Sequence, residues 1–320
     1  MANPGWSRIE SPFHAGELAI QARLGIQERM DKQGRRMIRE YLTEQHQQFF
    51  AQLSYVIVGT VDQYGSPWAS ILTGEPGFLS TPSDRILRVT AQALEGDPLA
   101  YNLKEGIDIG FLGIELHTRR RNRLNGTVST IDSDGFTVQV SQSFGNCPKY
   151  IQNRMFEFVE SQGNISQQIH EITKFEAWEQ NLIANADTFF ITTAYQDESA
   201  GIAKGVDVSH RGGKPGFIRI DDEQTLTIPD FSGNCHFNTI GNLELNPQMG
   251  LLFVDFSGGN ILYLTGTAEV IWEGSEIKTY TGAEQLIRFH LTKGYRCKAS
   301  LPLRWSNPDF SPLLERTGSW

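Results

Sequence analysis

The sequence predicts a mainly β fold with flanking helices, a β-barrel/α+β architecture of two small tandem antiparallel barrels that pair as a pseudo-dimer. Three observations carry this expectation. Short runs rich in β-branched and aromatic residues, bounded by turn residues, fill two separate blocks of the chain. A helix-forming stretch precedes each block. The two blocks also repeat one another at an offset of 139 or 140 residues.

Residues 1–52 read as a helical lead-in. Within it, "AGELAIQARLGIQERMDKQGRRMIREYLTEQHQQFF" (15–50) spaces its apolar residues by three and four, with interruptions expected at Gly25 and Gly34. Residues 53–149 form the first barrel, with strands expected in "YVIVGTV", "WASIL", "RILRVTA", "IDIGFLGIEL", "GTVSTI" and "FTVQVSQSF". Residues 150–186 return to helical composition and read as a helical connector. Residues 187–320 form the second barrel and a C-terminal extension, with strands in "TFFITTAY", "GFIRI", "TLTIP", "GLLFVDF" and "ILYLTGTAEVIW".

The repeat shows in three places. "SILTGEPGF" (70–78) falls on "SHRGGKPGF" (209–217), "NLKEGIDIGFL" (102–112) on "NLELNPQMGLL" (242–252), and "LNGTVSTI" (124–131) on "LTGTAEVI" (264–271). Open strand edges and apolar faces left by one copy would be covered by the other, as in a homodimer whose subunits were joined. A monomer and a further homodimer are both compatible with that arrangement.

Composition bounds the function. The chain has 320 residues, a formal net charge of −9 and 39% hydrophobic residues. A dispersed acidic excess argues against nucleic acid or an anionic membrane as a partner, and makes local basic clusters candidates for a small anion. No apolar run approaches bilayer length and the amino terminus lacks a secretory pattern, so a cytoplasmic location is expected. Cys147, Cys235 and Cys297 are odd in number and form no CxxC pair, and no histidine pattern suggests a ligand set. Neither a disulfide framework nor a metal is expected.

The copies diverge where they would need different chemistry. "SHRGGK" of the second copy, with Ser209, His210, Arg211 and Lys214, falls on the uncharged or acidic "SILTGE" of the first. On a later strand the asymmetry reverses: Arg119, Arg120, Arg121, Asn122 and Arg123 match Gly259, Asn260, Ile261, Leu262 and Tyr263. In a pseudo-twofold pair the two basic elements can meet across the interface at one composite site, which predicts one anion-bearing ligand per chain. Arginine supplies a planar fork, lysine a point charge, and bare glycine backbone allows close approach. A solvated strand face and a glycine turn are the plain alternatives. RNA binding is disfavoured by the acidic balance and by the lack of interleaved aromatics.

With these residues assembled, the chain resembles the pyridoxamine 5′-phosphate oxidase-related, FMN-binding split-barrel family, within a two-barrel bacterial branch. The segments that carry the resemblance are "SPFHAGELA" (11–19), "VDQYGSPWAS" (61–70), "GIELHTRRRNRLNGTV" (113–128), "SFGNCPKYIQNR" (143–154), "DVSHRGGKPGF" (207–217) and "PDFSGNCHFNTIGNL" (229–243). The resemblance implies an FMN phosphate held by "SHRGGK" and by the turn carrying Asp230, Phe231, Asn234, His236, Asn238 and Thr239. It implies an isoalloxazine ring at the interface, against Arg121, Asn122 and Arg123 and against Cys147, Pro148, Lys149 and Tyr150. It also implies an FMN-binding flavoprotein of oxidoreductase or electron-transfer type, with a small-molecule substrate or an NAD(P)H-dependent reductase as partner. The alternative on the same fold is a non-catalytic protein that stores or binds flavin or haem. The pattern departs at Cys235, where related sequences often carry arginine.

Overall fold

The structure is a computed structural model that describes residues 5–159 and 169–320. Three helices open it: α1 (Ala15–Arg23), α2 (Gln27–Met37) and α3 (Glu44–Ala51). A capping box starts α1, because Gly16 N–H donates to His14 Nδ1 and the Glu17 carboxylate accepts from His14 N–H. Gly25, at φ 68°, separates α1 from α2 as its conformational freedom allows. Gly34 does not interrupt α2. A Cβ there would fall 2.4 Å from the Phe13 ring, so this glycine serves close packing.

The first sheet comprises β1 (Tyr55–Val61), β2 (Pro67–Thr73), β3 (Leu79–Ser83), β4 (Ile86–Val89), β5 (Asp108–Glu115), β6 (Arg120–Asp132) and β7 (Gly135–Asn146), with the short α4 (Leu99–Asn102) before β5. Its strand order is β2-β1-β5-β6-β7-β4-β3. After β8 (Phe156–Phe158), β9 (Ile169–Ile172) and α5 (Ala177–Asn185) come β10 (Thr188–Tyr195), β11 (Gly205–Gly212), β12 (Arg219–Ile220) and β13 (Thr225–Phe231). Helix α6 (Asn238–Leu245), β14 (Gln248–Val254), β15 (Ile261–Ile271), β16 (Ala283–Cys297) and β17 (Leu303–Trp305) complete the chain. The second sheet runs β11-β10-β14-β15-β16-β13-β12, the order of the first with each strand replaced by its counterpart.

Strand register makes the correspondence residue-specific. Val58 pairs with both Ser70 and Phe111 in the first sheet, and Ile191 pairs with both Ser209 and Leu251 in the second. Leu112 pairs with Arg123 as Leu252 pairs with Tyr263. Ser70 and Ser209 therefore hold equivalent places, as do Arg123 and Tyr263.

Alternation along the central strands builds three cores. Val56, Val58, Ile109 and Phe111 point into the first barrel, and Phe189, Ile191, Leu251 and Phe253 into the second. The intervening residues Ile57, Leu112, Ile114, Phe190, Leu252 and Val254 form a third cluster between the barrels. A strand covered on both faces reads as a near-continuous apolar run, which explains "YVIVGTV" and "GLLFVDF". Two glycines at equivalent positions allow the barrels this close. A Cβ at Gly110 would lie 2.2 Å from the Val206 carbonyl, and one at Gly250 would lie 2.4 Å from that of Pro67.

The connector departs from expectation. Its described part is helical only over Ala177–Asn185, while Phe156–Phe158 pairs with β17 and Ile169–Ile172 with β16. Helical composition is overridden there by distant strand partners. Residues 160–168 of the expected connector lie outside the described residues. Among the described residues, no helix is long and apolar enough to cross a membrane.

Candidate functional site

A cleft of about 80 Å³ opens where β6 of the first barrel meets β11 and the β13–α6 turn of the second. Arg123, Ser209, Arg211, Asp230, Phe231, Asn234, Asn238 and Thr239 all line it, so the two basic segments are brought together across the interface. Arg121 and Arg123 extend from the face of β6 that meets the second barrel. Asn122, one residue out of phase, takes the opposite face, where its Oδ1 lies 3.6 Å from the place of a Cβ on Gly145.

Arg123 is the buried centre of the site. Its Nη1 donates to Asn238 Oδ1 at 3.1 Å and approaches Asp207 Oδ1 at 3.5 Å, and its Nη2 donates to Ser209 Oγ. Among the described residues its Nε has no partner. Burial lowers Arg123 to about 10 against the pull of Asp207, which leaves it charged at neutral pH. The Ser209 and Thr239 hydroxyls lie 2.9 Å apart. Arg211 pairs with Asp230 at 3.0 Å, and among the described residues its buried Nε is also without a partner. The last contribution is the start of α6, which no side chain caps. Its first N–H groups carry the partial positive charge of a helix N-terminus.

The turn before α6 is built to hold this geometry. Cys235 and Phe237 both have left-handed backbone, at φ 61° and 64°. Non-glycine residues adopt that conformation at a cost, so the turn is held by its surroundings. Asn234 is the clamp: its Oδ1 accepts from His236 N–H at 3.1 Å and its Nδ2 donates to Asn146 Oδ1 at 3.0 Å.

Several expected ligands are placed elsewhere. The His236 ring is fully buried between Phe13 and Phe144, and burial lowers it to about 4. It is a neutral packing residue and is absent from the cleft wall. Lys214 donates to the Thr317 carbonyl at 2.8 Å and is absent from the cleft wall. His210 lies beside the site, with Nδ1 3.2 Å from Arg121 Nη1. Burial, then Arg121 and Arg211, hold its pKa well below the ordinary value, so it adds no positive charge.

The segment after β7 runs along the rim. Arg121 Nε donates to the Cys147 carbonyl at 2.7 Å, with Cys147 Sγ 3.8 Å from Nη2. Lys149 Nζ donates to the Ser232 carbonyl at 3.3 Å, and the Tyr150 ring packs 5.1 Å from that of Phe231. Pro148 is exposed.

Behind the cleft stands a polar layer with no assigned place in the sequence reading. Asp207 accepts from Asn125 at 3.0 Å and from Asn242 at 2.9 Å, and so orients the carboxylate that faces Arg123. Asn238 donates to Glu17 at 2.5 Å, which ties α1 to α6. The helices approach so closely that a Cβ at Gly16 would fall 2.0 Å from the Gly241 carbonyl. Glu17 is pushed well above the usual carboxylate range, first by burial and then by Asp207. The available signal was the "SPFHAGELA" segment that carries Glu17.

Fold and cleft together define a two-barrel protein with a cationic site shared across the barrel interface. Residues 42–173 match the family profile described as pyridoxamine 5′-phosphate oxidase, which supports this split-barrel family for the chain, a family that commonly binds flavin. Among solved structures it is similar to HupZ of Group A Streptococcus, at 15% identity and a TM-score of 0.32, over 40% of this chain and 98% of that one. It is also similar to a pyridoxamine 5′-phosphate oxidase candidate from Lactobacillus delbrueckii, at 13% identity and a TM-score of 0.30, over 38% of this chain and 94% of that one. None of the curated proteins matches the chain.

Proposed function

We propose that the cleft holds the phosphate of one FMN per chain and that the protein is an FMN-dependent oxidoreductase or electron-transfer protein of the cytoplasm. In this reading 53–149 and 187–320 are the two barrels, and 1–52 and 150–186 are the segments that precede them. The observation that carries it is the convergence of Arg123, Ser209, Arg211 and the uncapped start of α6 on one cleft. The partnerless Nε atoms of Arg123 and Arg211 are the donors an oxyanion would satisfy.

These residues fit the phosphate end of the cofactor. A cleft of about 80 Å³ takes an oxyanion, whereas whole-ligand pockets are about 300–1,000 Å³. The remainder of FMN would extend along the rim, beside Arg121, Lys149 and Tyr150. When bound, FMN supplies hydride or single-electron chemistry. The chain's own part is electrostatic: the hydrogen bonds of Arg121 and Lys149 go to carbonyl, sulfur or imidazole acceptors, so their charges remain uncompensated by a carboxylate. Positive charge there favours electron uptake by a nearby flavin.

The two histidines nearest the cleft are buried and neutral, so neither is a ready proton donor to a substrate. This supports electron transfer, with an NAD(P)H-dependent reductase as donor, over chemistry that needs a general acid. Titration of flavin-free protein with FMN, followed by flavin fluorescence, is expected to saturate at one FMN per chain. Arg211→Ala should weaken binding about tenfold or more. Saturation that persists unchanged in Arg211→Ala would remove the cleft from the reading. A bound flavin that neither NAD(P)H nor a reductase reduces would favour a storage protein.

A further inference from the structure

The strand register that equates Ser70 with Ser209 and Tyr263 with Arg123 also locates the twin of the cleft, on the opposite side of the pseudo-twofold axis. There the turn before α4 folds inward. Asp97 is fully buried, and its carboxylate accepts from Ser70 Oγ at 2.5 Å, from Leu99 N–H at 2.8 Å and from Tyr263 OH at 3.1 Å. One donor comes from each barrel and one from the backbone.

The same three places in the working cleft hold Ser209, Arg123 and, at the offset of 140 that aligns "NL" with "NL", the N–H of Thr239. The difference lies at the fourth place. The counterpart of Asp97 is Phe237, which carries no charge. Arg123 and Ser209 meet directly, while Tyr263 and Ser70 are joined through a carboxylate.

We infer that Asp97 is a built-in oxyanion: its carboxylate fills, in the first barrel, a carboxylate-binding cavity formed by Ser70, Leu99 N–H and Tyr263. The chain thereby closes one of its two equivalent sites from within and leaves the other for an external anion. For the open site, the Asp97 contacts assign the ligand's oxyanion to Ser209 Oγ, Arg123 and Thr239 N–H; this second part rests on the proposed function, and the first does not. The ligand class of the closed cavity is a small carboxylate, because its donors are neutral and match two oxygens already bound there.

The test uses flavin-free protein at pH 7.5, so that its outcome is separate from FMN binding. Asp97→Ala removes the carboxylate and leaves three buried donors unsatisfied, which should lower Tm. Sodium formate should then raise the Tm of Asp97→Ala saturably and by more than that of the wild type, in which only the open cleft can take formate, and sodium chloride at equal ionic strength should not. Adding Tyr263→Phe to Asp97→Ala should weaken the formate response about tenfold, as the loss of one hydrogen bond to a charged group implies. A formate response no larger in Asp97→Ala than in wild type would overturn the inference. Should Asp97→Ala fail to fold, carbon-13 NMR of the wild-type aspartates decides: an ionised Asp97 carboxyl at pH 7.5 supports the cavity, and a protonated one overturns it.

Discussion

Arg121 of the first barrel lies with its Nη1 3.2 Å from Nδ1 of His210 in the second, so the two basic segments touch at a pair in which only one member is charged. The guanidinium cannot give up its proton, so it is the donor and Nδ1 the acceptor, which puts the imidazole proton on Nε2. A cation on that ring would face Arg121, Arg211 and Arg154 together.

The imidazole of His210 should therefore fail to titrate across the neutral range. Proton–nitrogen NMR of labelled histidine is expected to show His210 neutral with its proton on Nε2 throughout the neutral range, and His236 neutral down to about 4. A normal titration near 6.5 for His210 would mean that its ring does not lie against Arg121.

Arg123 and Asp207 should behave as one unit. Each is nearly fully buried, so Arg123→Ala leaves the Asp207 carboxylate facing a lost cation. Breaking a buried pair on one side costs about 3–5 kcal/mol. Denaturant unfolding of Arg123→Ala should show a loss of that order, and Arg123→Ala with Asp207→Asn should recover more than about 1 kcal/mol of it. Strict additivity of the two changes would argue that the pair is not coupled.

Much of this arrangement was legible because it is written locally. Strand alternation, the repeat and the reciprocal placing of "SHRGGK" and "RRRNR" need only neighbouring residues, and register turns them into one cleft. What escaped was set by distant partners. Lys214 looks like a ligand until the Thr317 carbonyl reaches it from the C-terminal extension, and His236 until Phe13 and Phe144 enclose its ring. Asp207 sits in the quoted "DVSHRGGK" segment. Its role depends on Asn125, Asn242 and Arg123, contributed by two other elements. The strands of the connector likewise exist only through pairing with β16 and β17.

Asp97 should leave a mark on the pH dependence of stability. Burial raises it from the ordinary 3.8 to about 6, against the opposing hydrogen bonds from Ser70, Leu99 and Tyr263. Between these values the folded chain binds more protons than the unfolded one, so stability falls as pH rises. The contribution is fully present below about 4 and lost above about 6, a span of roughly 3 kcal/mol at 1.36 kcal/mol per unit. Glu17 acts in the same direction, since its pKa is also raised. Urea unfolding from pH 4 to 7 should show a shallower fall in Asp97→Asn than in wild type. Identical slopes would place the Asp97 titration outside this window.

Cys235→Arg tests the location of the phosphate by adding a positive charge to the turn before α6. Residue 235 lines the cleft and already has left-handed backbone, so arginine would inherit the existing turn and bring its guanidinium to the same wall. A charge-assisted hydrogen bond contributes about 1.5–3 kcal/mol, which is about ten- to a hundredfold in affinity. FMN should therefore bind Cys235→Arg that much more tightly, with a steeper salt dependence. Without ligand, a third guanidinium beside Arg123 and Arg211 should leave Tm unchanged or slightly lower, because nothing negative is added with it. Riboflavin, which lacks the phosphate, should show no gain. Equal tightening of FMN and riboflavin would mean that the new side chain contacts the ring, and unchanged affinity for both would mean that the phosphate does not lie at this turn.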